Sequence, residues 1–255
     1  MIKKEFQIFF TALAFYTRIP CYKICNYSPK YVDESTKYLP LIGWIVGGIG
    51  GLVFIISKYF LPVYIAILLS IISTILITGA FHEDGFADFC DGAGGGFDKE
   101  QILRIMKDSR IGSYALIGMI GLLGLKYAAL ISINTDILPL ILIAGHSISR
   151  YTAGSFLFTH EYVRKNDDNA KSLKISKKSS FMIILISSFF GVLPIFWLGI
   201  KFLLILIPIF ITRQIFSSYF TRKLGGYTGD CLGAVQQITE VVFYIFAVMA
   251  PWKYI

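Results

Sequence analysis

Apolar positions in this chain gather into long blocks broken by short polar stretches, and the blocks approach the about 20 residues a helix needs to cross a bilayer. Candidate spans fall at 40–57, 61–81, 113–133, 137–158, 180–199, 200–217 and 234–252. Five glycines crowd the first (Gly43, Gly47, Gly48, Gly50, Gly51), which suggests close helix packing, because small residues let backbones approach. The stretch from Glu5 to Pro20 is apolar but short and reads as an interfacial or re-entrant helix. The predicted fold is all-α: a polytopic integral membrane helical bundle with about seven transmembrane helices, forming one catalytic domain over residues 1–255.

Composition agrees with lipid as the solvent. With 55% hydrophobic and 16% charged residues, a soluble fold would expose too much apolar surface. Basic residues set the orientation, since Lys and Arg beside span ends stay on the cytoplasmic side. Residues 1–39 carry six, 82–112 carry four and 159–179 carry six, whereas Lys58 and Lys201 are the only ones in the opposite turns. The amino terminus and the long loops are therefore expected in the cytoplasm, at the cell's inner membrane. The net charge of +8 is then topological. No basic stripe with interleaved aromatics suggests nucleic acid. Cys21, Cys25, Cys90 and Cys231 lie in or beside cytoplasmic segments, and neither a disulfide nor a zinc site is expected.

Candidate chemistry concentrates where the second span ends, in His82-Glu-Asp-Gly-Phe-Ala-Asp-Phe-Cys-Asp-Gly-Ala-Gly-Gly-Gly-Phe97. On a helix, Asp84, Asp88 and Asp91 project within about 60° of one another. Three carboxylates on one face repel, so a divalent cation is the natural counter-ion, and hard oxygen ligands favour Mg²⁺ or Mn²⁺. Glu83 is a fourth candidate ligand, less favoured by projection. Gly92, Gly94, Gly95 and Gly96 can adopt positive φ and are expected to cradle a phosphate. Lys107 and Arg110 follow as a cationic clamp for phosphoryl oxygens, with Asp108 between them. Carboxylates, glycines and cations together suggest metal-dependent phosphoryl transfer.

A second constellation runs from Gly225 to Glu240, with glycines, Asp230 and the helical polar residues Gln236, Gln237 and Glu240. His146 and Arg150, one turn apart in the fourth span, form a further polar pair at membrane depth. The bland alternatives are a solvated acidic loop, a simple turn at Gly225–Gly229, and structural histidines at 82 and 146. Arg164 and the lysines up to Lys178 read mainly as orientation charge.

The acidic block, the Ile105-Met-Lys-Asp-Ser-Arg-Ile-Gly-Ser-Tyr114 stretch, the Phe15-Tyr-Thr-Arg-Ile-Pro20 segment, the Ser149-Arg150 pair and Gly225-Gly-Tyr-Thr-Gly-Asp-Cys-Leu-Gly-Ala234 together resemble the cobalamin synthase family, the adenosylcobinamide-GDP ribazoletransferases. The resemblance runs from about residue 5 to residue 250. It implies a Mg²⁺-dependent membrane enzyme, acting late in cobalamin biosynthesis, that joins adenosylcobinamide-GDP to α-ribazole or its 5′-phosphate and releases GMP. On that basis Glu83, Asp84, Asp88 and Asp91 are the expected metal ligands. Asp91, Lys107, Arg110 and Asp230 are the expected catalytic groups. Gly94, Gly95, Gly96, Arg18, Ser109, Arg150, Gly226, Thr228 and Glu240 are the expected substrate contacts. Partners are the two substrates and the bilayer, with room for a homo-oligomer and no nucleic acid. Competing readings are a CDP-alcohol phosphotransferase, whose aspartate spacing differs, and a cation-coupled transporter, which needs no anion clamp.

Overall fold

The structure is a computed structural model that describes residues 2–21, 31–164 and 177–249. Its helices are α1 (Ile2–Tyr16), α2 (Val32–Ser35), α3 (Leu39–Ser57), α4 (Val63–Thr78), α5 (Phe81–Gly95), α6 (Lys99–Ile105), α7 (Ser113–Ile131), α8 (Leu138–Gly154), α9 (Phe156–Thr159), α10 (Lys177–Trp197), α11 (Leu206–Tyr219) and α12 (Gly229–Met249). Among the described residues there is no strand, only an isolated parallel bridge between Tyr162 and Tyr227.

The molecule is a multi-pass membrane protein. Among the described residues, four segments are long and apolar enough to cross a bilayer: Val32–Ser57, Ser113–Ile131, Ile200–Leu224 and Gly229–Met249. Helices α4 and α5 together form a fifth candidate, but they meet at 89°. Among the described residues, four or five of the about seven expected crossings are long and apolar enough by this measure; α8, with 17 residues, and the apolar stretch of α10, Phe181–Trp197, are shorter.

The second predicted span, 61–81, ends early for a local reason. Gly79 and Ala80 both take left-handed backbone conformations, at φ 66° and 57°. The Gly79 N–H bonds back to Leu76 O as the helix closes, and the chain then turns through a right angle into α5. At 89° to α4, α5 does not continue its direction. That corner sets the acidic segment apart from the apolar spans.

Helix α8 is the centre of the bundle, buried along most of its length. The glycines of α3 explain how closely it is approached. A Cβ on Gly47 would stand 2.6 Å from Leu142 O, one on Gly43 would collide with His146 O, and one on Gly51 would meet Pro139 at 3.1 Å. Gly50 faces α4 instead, where Ser70 Oγ donates to its carbonyl at 2.8 Å. The small-residue stripe is therefore a packing surface, as in other membrane helix pairs. Exposed apolar side chains are spread over several helices, among them Leu52, Leu76, Ile117, Phe181, Ile207 and Phe210.

Candidate functional site

Helix α5 separates its two kinds of acid. His82, Glu83, Gly85 and Phe86 are buried against the bundle, while Asp84 is exposed and Asp88 and Asp91 are half-buried. Gly85 and Gly233 let α5 cross the first turns of α12. A Cβ on Gly85 would lie 3.0 Å from the Asp230 Cα, and one on Gly233 would lie 2.8 Å from His82 O. Asp230 is thereby brought to the aspartate face of α5.

A short backbone pairing adds a cation. Tyr227 N donates to Glu161 O at 2.9 Å, and Val163 N donates to Tyr227 O at 3.0 Å. Gly226, at φ 157°, is required here because any side chain would strike Glu161 O. The pairing carries Arg164 to 3.1 Å from Asp230 Oδ2. Thr228 opens α12, its hydroxyl accepting from Cys231 N at 3.3 Å. In this setting partial burial, then the charges of Asp230 and Asp84, push the Asp88 carboxyl up to about 7, with Arg164 opposing them.

The third wall is the loop between α6 and α7. Asp91 accepts from Gly112 N at 2.6 Å and from Ala115 N at 2.9 Å, capping α7 from a neighbouring helix. This contact pins the Lys107–Gly112 loop beside α5. Within the loop, Arg110 and Asp108 pair at 2.6 Å in the open, and the guanidinium holds the Asp108 carboxyl down to about 2. Lys107 and Ser109 are exposed on the same loop.

Several expectations need correction. The glycine cradle does not form: Gly92, Gly94 and Gly95 lie within α5, and none of them or Gly96 has positive φ. Backbone amides inside a helix are bonded to preceding carbonyls and are not free for a phosphate. The glycines serve approach instead, Gly94 to the Tyr114 ring at 2.5 Å and Gly96 to Ile102 at 2.5 Å from a Cβ position. Glu83 faces away from the other acids, accepting from Gln237 Nε2 at 2.8 Å.

Arg150 and Glu240 are likewise interior groups, not surface substrate contacts. Glu240 meets Lys126 Nζ and His146 Nδ1 at 3.0 Å each and accepts from Gln236 Nε2 at 2.7 Å. Arg150 contacts His146 Nδ1 and donates to its carbonyl, each at 3.0 Å, so the pair expected on the fourth span is formed. Gln237 links this network to Glu83, and Lys126 donates to Gln237 Oε1 at 2.9 Å. Arg18 is exposed, its guanidinium lying over Gly79 at the α4–α5 corner.

The structure thus brings together Asp84, Asp88, Asp230 and Arg164, with the Lys107–Arg110 loop alongside, and assigns Asp91 a capping contact. Among the described residues no three His, Cys, Asp or Glu side chains form a ready metal cage. Arg164 was missed by sequence reasoning, which counted it among orientation charges; the Tyr162–Tyr227 bridge that delivers it has no sequence signature. Clustered carboxylates facing an open side, with cations on two flanks, suit a ligand that carries both phosphate and bound cation.

A sequence model of the cobalamin-5-phosphate synthase family matches residues 8–248. An adenosylcobinamide-GDP ribazoletransferase of Shewanella amazonensis is 40% identical over 250 residues, covering 95% of both chains. Proteins of the same name from Shewanella frigidimarina and Shewanella oneidensis are each 40% identical, over 248 and 247 residues, covering 95% and 94% of this chain and 94% and 93% of their own. No solved structure matches.

Proposed function

The chain belongs to the cobalamin-5-phosphate synthase family, and on that premise we propose that it transfers the cobinamide-bearing phosphoryl group of adenosylcobinamide-GDP to α-ribazole or α-ribazole 5′-phosphate. The observation that carries the reading is the meeting of Asp84, Asp88 and Asp230 with Arg164 on the outward side of α5. The ribazole 3′-hydroxyl forms a new O–P bond at the phosphorus bearing cobinamide. The bridging P–O bond breaks, GMP leaves with the electron pair, and one proton is released.

Asp230 accepts that proton, because Asp91 is occupied by two amide N–H groups. Arg164, Lys107 and Arg110 supply positive charge to the phosphoryl oxygens. Asp84 and Asp88 are the pair suited to Mg²⁺, or Mn²⁺, since Mg²⁺ is commonly held by one or two carboxylates and the substrate's own phosphates rather than by an all-protein cage. When bound, such an ion would neutralise charge on the pyrophosphate and on the departing phosphate. Partial burial, then the charges of Asp230 and Asp84, raise the Asp88 carboxyl to about 7, and a bound cation would favour its ionised form.

The same reading includes topology: seven crossings of the cell's inner membrane, an amino terminus in the cytoplasm and a site facing the cytoplasm. The basic loops at 1–39, 82–112 and 159–179 support it. The test is GMP release by detergent-purified protein given adenosylcobinamide-GDP, α-ribazole and Mg²⁺, repeated with EDTA and with Asp88→Asn. Release that both changes leave untouched would sink the metal-carboxylate assignment. No release from folded protein would return the transporter reading.

A further inference from the structure

Away from the α5 site, helices α8, α10 and α11 enclose a groove of about 500 Å³. Its walls are apolar, formed by Ile148, Tyr151, Val192, Leu206, Ile209 and Phe210. Ile184, which also lines it, is exposed, as are Ile207 and Ile211 on α11. At one end stands a single cation, Arg213, near the middle of the Ile200–Leu224 segment.

Arg213 is held by neutral partners among the described residues. Its Nε donates to Ser155 Oγ at 2.7 Å, one terminal nitrogen to Thr159 Oγ1 at 2.8 Å and the other to Gln214 Oε1 at 3.1 Å. The guanidinium also stacks over the Phe156 ring at 5.0 Å. Among the described residues no carboxylate pairs with it. A guanidinium has five N–H donors, so donors remain for an anion. Charge beside an apolar channel without an opposite charge is costly, and such residues mark binding sites. The neighbouring Ser155 lies between α8 and α9, and Thr159 ends α9.

We infer that this groove is a site for an anionic phospholipid, with the phosphate on Arg213 and an acyl chain along the apolar wall of α8, α10 and α11. The groove supplies both halves of that ligand's chemistry, an apolar channel on the outer surface and, at its end, a cation that no described carboxylate pairs. A zwitterionic lipid fits the channel equally but brings its own cation to the phosphate. The site therefore prefers a net negative headgroup. This inference rests on the groove and Arg213 alone and not on the reaction proposed for α5.

The experiment is retention of lipid by purified protein, read by native mass spectrometry after exchange into equal mixtures of dioleoyl phosphatidylglycerol and dioleoyl phosphatidylcholine. The wild type is expected to retain phosphatidylglycerol preferentially. Arg213→Gln is expected to lose about tenfold of that preference, the scale of one charge-assisted hydrogen-bonded contact. Val192→Trp fills the channel while leaving Arg213 in place and is expected to lower retention of both lipids. Thermal unfolding with phosphatidylglycerol or with inorganic phosphate separates a lipid from a soluble anion: stabilisation by the lipid alone is expected. Equal retention of both lipids by the wild type, unchanged preference in Arg213→Gln, or equal stabilisation by inorganic phosphate would each overturn the inference.

Discussion

Arg164 stands 3.1 Å from Asp230, joining a loop that follows α9 to the first turn of α12. Arg164 lies on that loop, outside any helix. The contact exists because Tyr162 and Tyr227 pair their backbones and Gly226 leaves room for Glu161 O. A cation is thus held beside the acid proposed to take the proton, and beside the two proposed to face the pyrophosphate.

Arg164→Gln is therefore expected to lower kcat by about 10²-fold, the scale of losing one preorganised charge at a developing oxyanion. Arg164→Lys should recover part of it, since the charge returns without the planar fork. Steady-state GMP release with both substrates varied is the measurement. An unchanged kcat in Arg164→Gln would remove this residue from the reaction.

Asp88 gives a pH dependence with a definite sign. Its carboxyl is raised from 3.8 to about 7 in the fold, so between those values the folded protein keeps a proton that the unfolded chain has lost. Metal-free stability should consequently fall as pH rises from about 4 to about 7, and stay level beyond. Added Mg²⁺ should oppose that fall by favouring the ionised form. Thermal unfolding in detergent with EDTA, compared between wild type and Asp88→Asn, reads the effect: the variant should have the shallower slope. Equal slopes would mean that Asp88 does not titrate in this interval.

Much of this was legible in the sequence where the signal was local. The apolar blocks gave the helices, and the i, i+4, i+7 spacing gave Asp84, Asp88 and Asp91 a common face on α5. The glycine stripe of α3 correctly announced close packing on α8. What failed depended on neighbours distant in the chain. Asp91 shares the face of Asp88, yet the amides of Gly112 and Ala115 meet it there, a relation between α5 and α7 that helical periodicity does not encode. Glu83 and Glu240 were read as site acids, but each points to a partner on another helix. The right-angle turn at Gly79 and Ala80 was hidden because Ala80 is not a residue that announces a left-handed backbone.

The helical character of the glycine run is itself testable. Gly95 has space, with Ile105 Cδ1 3.4 Å from its Cβ position, whereas a Cβ on Gly94 would press on the Tyr114 ring at 2.5 Å. Gly95→Ala should therefore keep GMP release within about twofold and raise stability by up to about 1 kcal/mol, since alanine favours a helix. Gly94→Ala should destabilise unless Tyr114 moves. A loop that cradles phosphate would predict loss of activity at Gly95 instead, so a large fall in kcat for Gly95→Ala would restore that reading.

The interior network makes the sharpest energetic demand. Lys126 and Glu240 face each other at 3.0 Å with almost no exposure, and both also touch glutamines of the same network. Glu240→Gln leaves Lys126 buried with Gln237 Oε1 and no described acid in contact, and Lys126→Met leaves Glu240 with His146 and Gln236. Breaking a buried pair from one side costs about 3–5 kcal/mol, and removing both members spares part of that penalty. Lys126→Met and Glu240→Gln should each lower thermal stability steeply, and the double variant should be more stable than either alone. Because Gln237 connects this network to Glu83 on α5, the single variants should also loosen the support of the aspartate face and lower kcat. A double-mutant cycle in unfolding free energy, with GMP release measured on the folded fraction, separates the two effects. Strict additivity of the single changes would show that the pair is not coupled and that α5 is positioned by its glycine contact with α12 instead.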